Sequence, residues 1–138
     1  MSRHRRPSFI VATELLLLAA GLFSCRSQRD HNDDLRREVE AIETKTVPFD
    51  AQVVARSEPV QSNWSVTASW DIETTMGRAE YSKWVASQFL PEFKVLRGDE
   101  SQLIFAKHAD GDTHSIECQF TPAKGKLLVH VAFSARPD

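Results

Sequence analysis

The densest set of reactive side chains is His108-Ala109-Asp110-Gly111-Asp112-Thr113-His114, with Glu117, Cys118 and His130 close behind. Imidazoles, carboxylates and a thiol are the ingredients of a zinc site, which needs three or four ligands within about 2.0–2.3 Å of one ion. They are equally the ingredients of thiol catalysis, which needs a cysteine activated by a basic neighbour. Whether they converge depends on the strands that carry them. Asp110-Gly111 is a preferred two-residue hairpin turn. Folding there sets Phe105 opposite Ile116 and Leu103 opposite Cys118. TPAKGK (121–126) offers a second reversal. A four-residue loop at 122–125 sets Phe120 opposite Leu127, Cys118 opposite Val129 and Ile116 opposite Val131. The apolar face stays in phase across three strands, and a one-residue slip would expose all of it.

On that register the cluster is dispersed. His114 and Cys118 point inward, whereas His108, Glu117 and His130 point outward. Glu117 opposes His130, but His108 opposes Thr113, four residues and so about 13 Å along the strand. Asp110 and Asp112 have turn chemistry as their reason. A thiol among aliphatic neighbours has its pKa raised and is inert. No Gly-x-Ser-x-Gly elbow, phosphate-cradling glycine loop or dinucleotide fingerprint occurs. The expectation is a non-enzymatic domain with no catalytic residue, no metal and no cofactor.

The elements around the cluster are plain in their periodicity. NWSVTASWDIET (63–74) alternates, with Trp64, Val66, Ala68, Trp70 and Ile72 on one face of a half-buried strand. MGRAEYSKWVASQFLPEF (76–93) changes to a helical period, with Tyr81, Trp84, Val85 and Phe89 on one side and Pro91 ending the helix near Leu90. Strand, helix and three-stranded meander sum to an α+β two-layer sandwich, a mainly antiparallel sheet with one packed helix. The outer sheet face, with Ser65, Thr67, Ser69, Ile104, Leu128, His130 and Ala132, is the expected surface for an envelope protein partner. The alternative is a small-molecule or lipid carrier with a pocket between helix and sheet, which needs a cavity of about 300 Å³ or more.

Ahead of this domain, residues 26–46 are polar, with Leu35, Val39 and Ile42 at helical spacing. The expectation is a semi-ordered tether with nascent helix; the alternative is a docking helix or coiled-coil seam. Gln52–Ala55 suits a short strand between Pro48 and Pro59. Gln52-Val53-Val54-Ala55 is also similar to the first inhibitory loop of cystatins, which would imply binding to papain-like proteases. Arg56 stands where that motif has glycine, and no Pro-Trp second loop follows.

The N-terminus reads as a secretory signal: a basic MSRHRRPS, an apolar FIVATELLLLAAGLF and a small residue before the boundary. About 15 apolar residues with Glu14 among them fall short of the ~20 that span a bilayer. Leu22-Phe23-Ser24-Cys25 resembles the lipobox of bacterial lipoprotein signal peptides. That resemblance implies a diacylglycerol on Cys25, cleavage before it and acylation of the new N-terminus, so that the membrane is a partner through lipid. Arg26, where aspartate would retain a lipoprotein in the inner membrane of a Gram-negative cell, leans toward the outer membrane. The implied location is the cell envelope, facing the periplasm or exterior. The expected organisation is signal peptide 1–24, lipid-attachment site and tether 25–60, and domain 61–138. Formal charge is −2, and no basic excess argues for nucleic acid. With Cys25 lipidated, Cys118 has no cysteine to pair with, which is a further reason for it to be buried.

Overall fold

The computed structural model describes residues 29–62 and 64–138; the lipobox-like segment and Cys25 lie outside them. A helix over 29–46 (α1) is followed by β1 (Gln52–Arg56), β2 (Val60–Ser62), β3 (Ser65–Thr74), α2 (Arg78–Phe89), β4 (Lys94–Gly98), β5 (Gln102–Ala109), β6 (Asp112–Ala123) and β7 (Lys126–Pro137). The strands form one antiparallel sheet in the order β1-β3-β7-β6-β5-β4, and β2 also pairs with β3. The two helices cover one face, giving the α+β two-layer arrangement. Because β3 lies beside β7, α2 must carry the chain across the sheet to β4 on the far edge. Its buried residues record that path: Tyr81 packs on Phe120 of β6, and Phe89 on Phe105 of β5.

Alternation explains the sheet. Val66, Ala68, Trp70 and Ile72 of β3, Ile116, Cys118 and Phe120 of β6, and Val129, Val131 and Phe133 of β7 are all buried. Asp110 and Gly111 both have positive φ (53° and 81°), the geometry of a type I′ hairpin turn. They set Leu103 opposite Cys118 and Phe105 opposite Ile116. The second turn differs from expectation. It is the two residues Lys124 and Gly125, the latter at φ 68°, with Ala123 opposite Lys126. Phe120 therefore faces Val129, Cys118 faces Val131 and Ile116 faces Phe133. The displacement is two residues, an even number, so every side chain keeps its face. The shift replaces every expected β6–β7 pair, among them the polar pair of Glu117 with His130: Glu117 faces Ala132, and Gln119 faces His130.

The largest departure is α1, which is part of the domain and not a tether. Leu35, Val39 and Ile42 are each at most 6% exposed, and Thr46 is fully buried. Burying each apolar side chain contributes about 1.5–3 kcal/mol. The same helix face carries polar groups with partners on other elements. His31 Nε2 lies 2.7 Å from the buried carboxylate of Asp112, and His114 Nδ1 is 2.8 Å from Glu38 Oε1. Trp70 Nε1 donates to Thr46 Oγ1 at 2.8 Å, and the Tyr81 hydroxyl donates to the Thr46 carbonyl at 2.6 Å. A stripe of three apolar residues is narrow only because half of the packed face is polar.

The short strand expected at Gln52–Ala55 is present as β1, with its register set against β3. Trp64 does not continue the buried stripe of β3. Its backbone is left-handed (φ 69°), it is 38% exposed, and its ring packs against His31 at 5.4 Å.

Candidate functional site

The outward side chains of β3, β7 and β6 run in rows set by the register. One row is Thr67, Ser134 and Ser115; the next is Ser69, Ala132 and Glu117; the third is Asp71, His130 and Gln119. Short polar side chains dominate, and they leave an open recess of about 440 Å³ on the outer face. Thr67, Ser69, His130 and Ala132 line it, as does the segment after β1, through Ser57 and Glu58. That segment is held in place by hydroxyl bonds. Ser69 N–H donates to Ser57 Oγ at 3.0 Å, Ser57 N–H donates to the Ser69 carbonyl at 3.0 Å, and the two hydroxyls are 3.0 Å apart. Across the floor, the Ser115 and Ser134 hydroxyls are 2.8 Å apart.

Of the expected face residues, Ser65, Ile104 and Leu128 lie outside the recess. The Ser65 hydroxyl donates to the Ser62 carbonyl. Ile104 lies on β5, one strand beyond Glu117, and Leu128 lies toward the far end of β7 opposite Thr121 and Glu73. The recess also has members that periodicity did not single out: Ser57, Glu58, Ser115, Ser134 and Arg136. Ser134 and Arg136 were legible as outward positions of β7, but their neighbours follow from the two-residue turn. Ser57 and Glu58 arrive through the pairing of β1 and β2 with β3, for which no local sequence signal exists.

His130 Nδ1 is 2.6 Å from Asp71 Oδ1, with both side chains nearly half exposed. The carboxylate occupies that nitrogen, so Nε2 is the one left for a ligand. Gln119 Nε2 donates to Glu117 Oε1 at 3.1 Å. The recess thus offers hydroxyls, an imidazole nitrogen, two carboxylates (Glu117 on the floor and Glu58 on the wall) and the Arg136 guanidinium.

The other chemically suggestive residues separate. His114 is buried against Glu38, while His108 is exposed beside Thr113 and Asp138. Burial, with the charge of Glu117 added, pushes the Cys118 thiol up to about 12. Among the described residues no three His, Cys, Asp or Glu side chains form a metal-holding group, and no helix is long and apolar enough to cross a membrane. Two other recesses, of about 400 Å³ beside Phe49 and about 370 Å³ beside Leu96, are also at the surface. Between helices and sheet the space is occupied by Trp70, Tyr81, Phe89, Phe105 and Phe133, each at most 2% exposed.

No family model and no curated protein matches the chain. Comparison with solved structures gives three weak matches over part of the chain. LpqN, involved in cell envelope biogenesis of Mycobacterium tuberculosis, is 14% identical, covering 67% of this chain and 69% of its own, with a TM-score of 0.40. CalU16 from Micromonospora echinospora is 9% identical, covering 64% and 71%, with a TM-score of 0.40. Ms6760 from Mycobacterium smegmatis is 9% identical, covering 67% and 55%, with a TM-score of 0.24.

Proposed function

We propose that this chain is an envelope lipoprotein anchored through Cys25, and that its domain is a non-enzymatic binding module working through the outer face of the sheet. The observation that carries the binding reading is the 440 Å³ recess, floored by outward positions of three strands and walled by the Ser57–Glu58 segment. A sheet face that only meets water needs no such wall. Donors and acceptors of both charges suit a polar partner held by hydrogen bonds, with Arg136 and Glu117 setting orientation. The side-chain packing beneath the helices favours this over the carrier reading. The anchor reading rests on Leu22-Phe23-Ser24-Cys25 after a basic, then apolar, N-terminus. Two or three acyl chains hold stably because each buried CH₂ contributes about 0.8 kcal/mol.

A photo-crosslinking residue placed at His130 in the full-length protein, activated in the native envelope, tests the module. It should capture a discrete component that the same residue at the exposed Glu40 of α1 does not. Identical adduct patterns from both positions would remove the recess as the binding surface. Intact mass tests the anchor independently: the extracted protein should lack residues 1–24 and carry diacylglycerol.

A further inference from the structure

The packing of α1 restricts how the domain can stand on a membrane. Its first turns are fastened to the sheet: His31 to Asp112, the Asn32 carbonyl to Gln61 Nε2 at 3.2 Å, and Trp64 against the His31 ring. From Cys25 to Arg29 there are four peptide units, which span at most about 14 Å. The helix then runs along the strands. Its contacts fall in order at Asp112, His114 and Trp70, over a length of about 27 Å for its 18 residues. One end of the domain therefore holds the start of α1, the Asp110-Gly111 turn and Asp138. The opposite end, about 35 Å away along β6, holds the Lys124-Gly125 turn.

We infer that the end bearing the start of α1 and the Asp110-Gly111 turn lies against the lipid headgroups, with the sheet standing upright and the recess facing sideways, parallel to the membrane. This rests on the lipid-anchor reading proposed above. The short covalent link, not charge, holds the start of α1 within reach of the headgroups, because Arg29 and Arg136 at this end are set against Asp30, Asp110 and Asp138. The recess reaches from Arg136 to His130 on β7, within about 25 Å of that end. Its partner must accordingly approach along the membrane surface.

The test uses the lipidated full-length protein in phosphatidylcholine vesicles doped with nitroxide-headgroup lipid. A bimane fluorophore is attached through His108→Cys, near the proximal turn, or through Lys124→Cys at the other; Cys118 is buried and does not compete. Quenching at 108 should exceed that at 124 by at least about twofold, unchanged from low to molar salt. Inserting a flexible linker of about fifteen Gly and Ser residues after Ser27 adds roughly 20 Å of reach and should erase the difference. Equal quenching without the linker, or a difference that survives its insertion, overturns the placement while leaving the anchor intact. A reconstituted protein whose mass lacks diacylglycerol overturns the anchor itself and the placement with it.

Discussion

Replacing Thr46 by valine tests whether α1 belongs to the domain's core, because it changes one hydrogen-bonding atom and almost no volume. Thr46 is fully buried where α1, β3 and α2 meet. Its hydroxyl accepts from Trp70 Nε1 at 2.8 Å and donates to the Glu43 carbonyl at 2.8 Å, while its own carbonyl accepts from Tyr81. The Tyr81 contact is to backbone and survives the substitution. The Trp70 N–H, at 2% exposure, is left without an acceptor. An orphaned buried donor costs about 1–3 kcal/mol, so a loss of about 2 kcal/mol is expected, or a Tm lower by about 8 °C for a domain near this size. Trp70→Phe removes the same bond from the other side together with much packing. A double-mutant cycle cancels the packing and should return a coupling of about 1–2 kcal/mol. Urea unfolding followed by far-UV circular dichroism is the assay, since Trp70 is itself altered. A Thr46→Val loss below about 0.5 kcal/mol, or a coupling indistinguishable from zero, would refute the argument that this segment is structural.

Two other expectations follow from buried and paired groups elsewhere in the domain. Burial pushes the Glu38 carboxyl up, but its hydrogen bond to His114 and the charges of His114 and Lys107 more than offset this and leave it below its ordinary value. Its contribution is therefore present above the unfolded carboxyl pKa of about 4.3 and is lost as pH falls through the lower folded value. Burial lowers the Lys107 ammonium, yet Glu92 and Glu38 raise it further. Its contribution holds below the unfolded value of about 10.4 and is lost as pH rises past the folded one. Urea midpoints should form a plateau between those limits, and Glu38→Gln should make the acid limb shallower; an unchanged limb would contradict the assignment. The Cys118 thiol, pushed up to about 12, should react with a disulfide reagent at neutral pH only as fast as the domain opens. Rapid labelling of the folded protein would contradict its burial.

How much could be read without coordinates depended on whether an interaction was local. The 110–111 hairpin follows from two adjacent residues that accept positive φ, and the in-phase apolar face of β5, β6 and β7 follows from alternation, which tolerated even the two-residue error in the second turn. The helix ending before Pro91 is likewise written in a few neighbouring residues. β4 was not anticipated because all five of its residues are exposed, leaving no buried stripe to read. The outer face was legible as polar, and Thr67, Ser69 and His130 were correctly placed on it, but its concavity was not. That shape requires Ser57 and Glu58 to return over β3, which is a matter of strand order.

Local geometry thus determines from sequence alone the inward face of β3 from Val66 onward and of β5, β6 and β7, the Asp110-Gly111 reversal and the place of Cys118, since each depends on periods of two or 3.6 and on a turn a few residues long. Tertiary structure alone decides that α1 is core and not tether. Its stripe is completed by Thr46 and Glu38, polar groups whose burial is tolerable only once Trp70 and His114 are beside them. Glu38 and His114 are 76 residues apart. A buried polar group is stable through its partner, and no periodicity records a partner that distant.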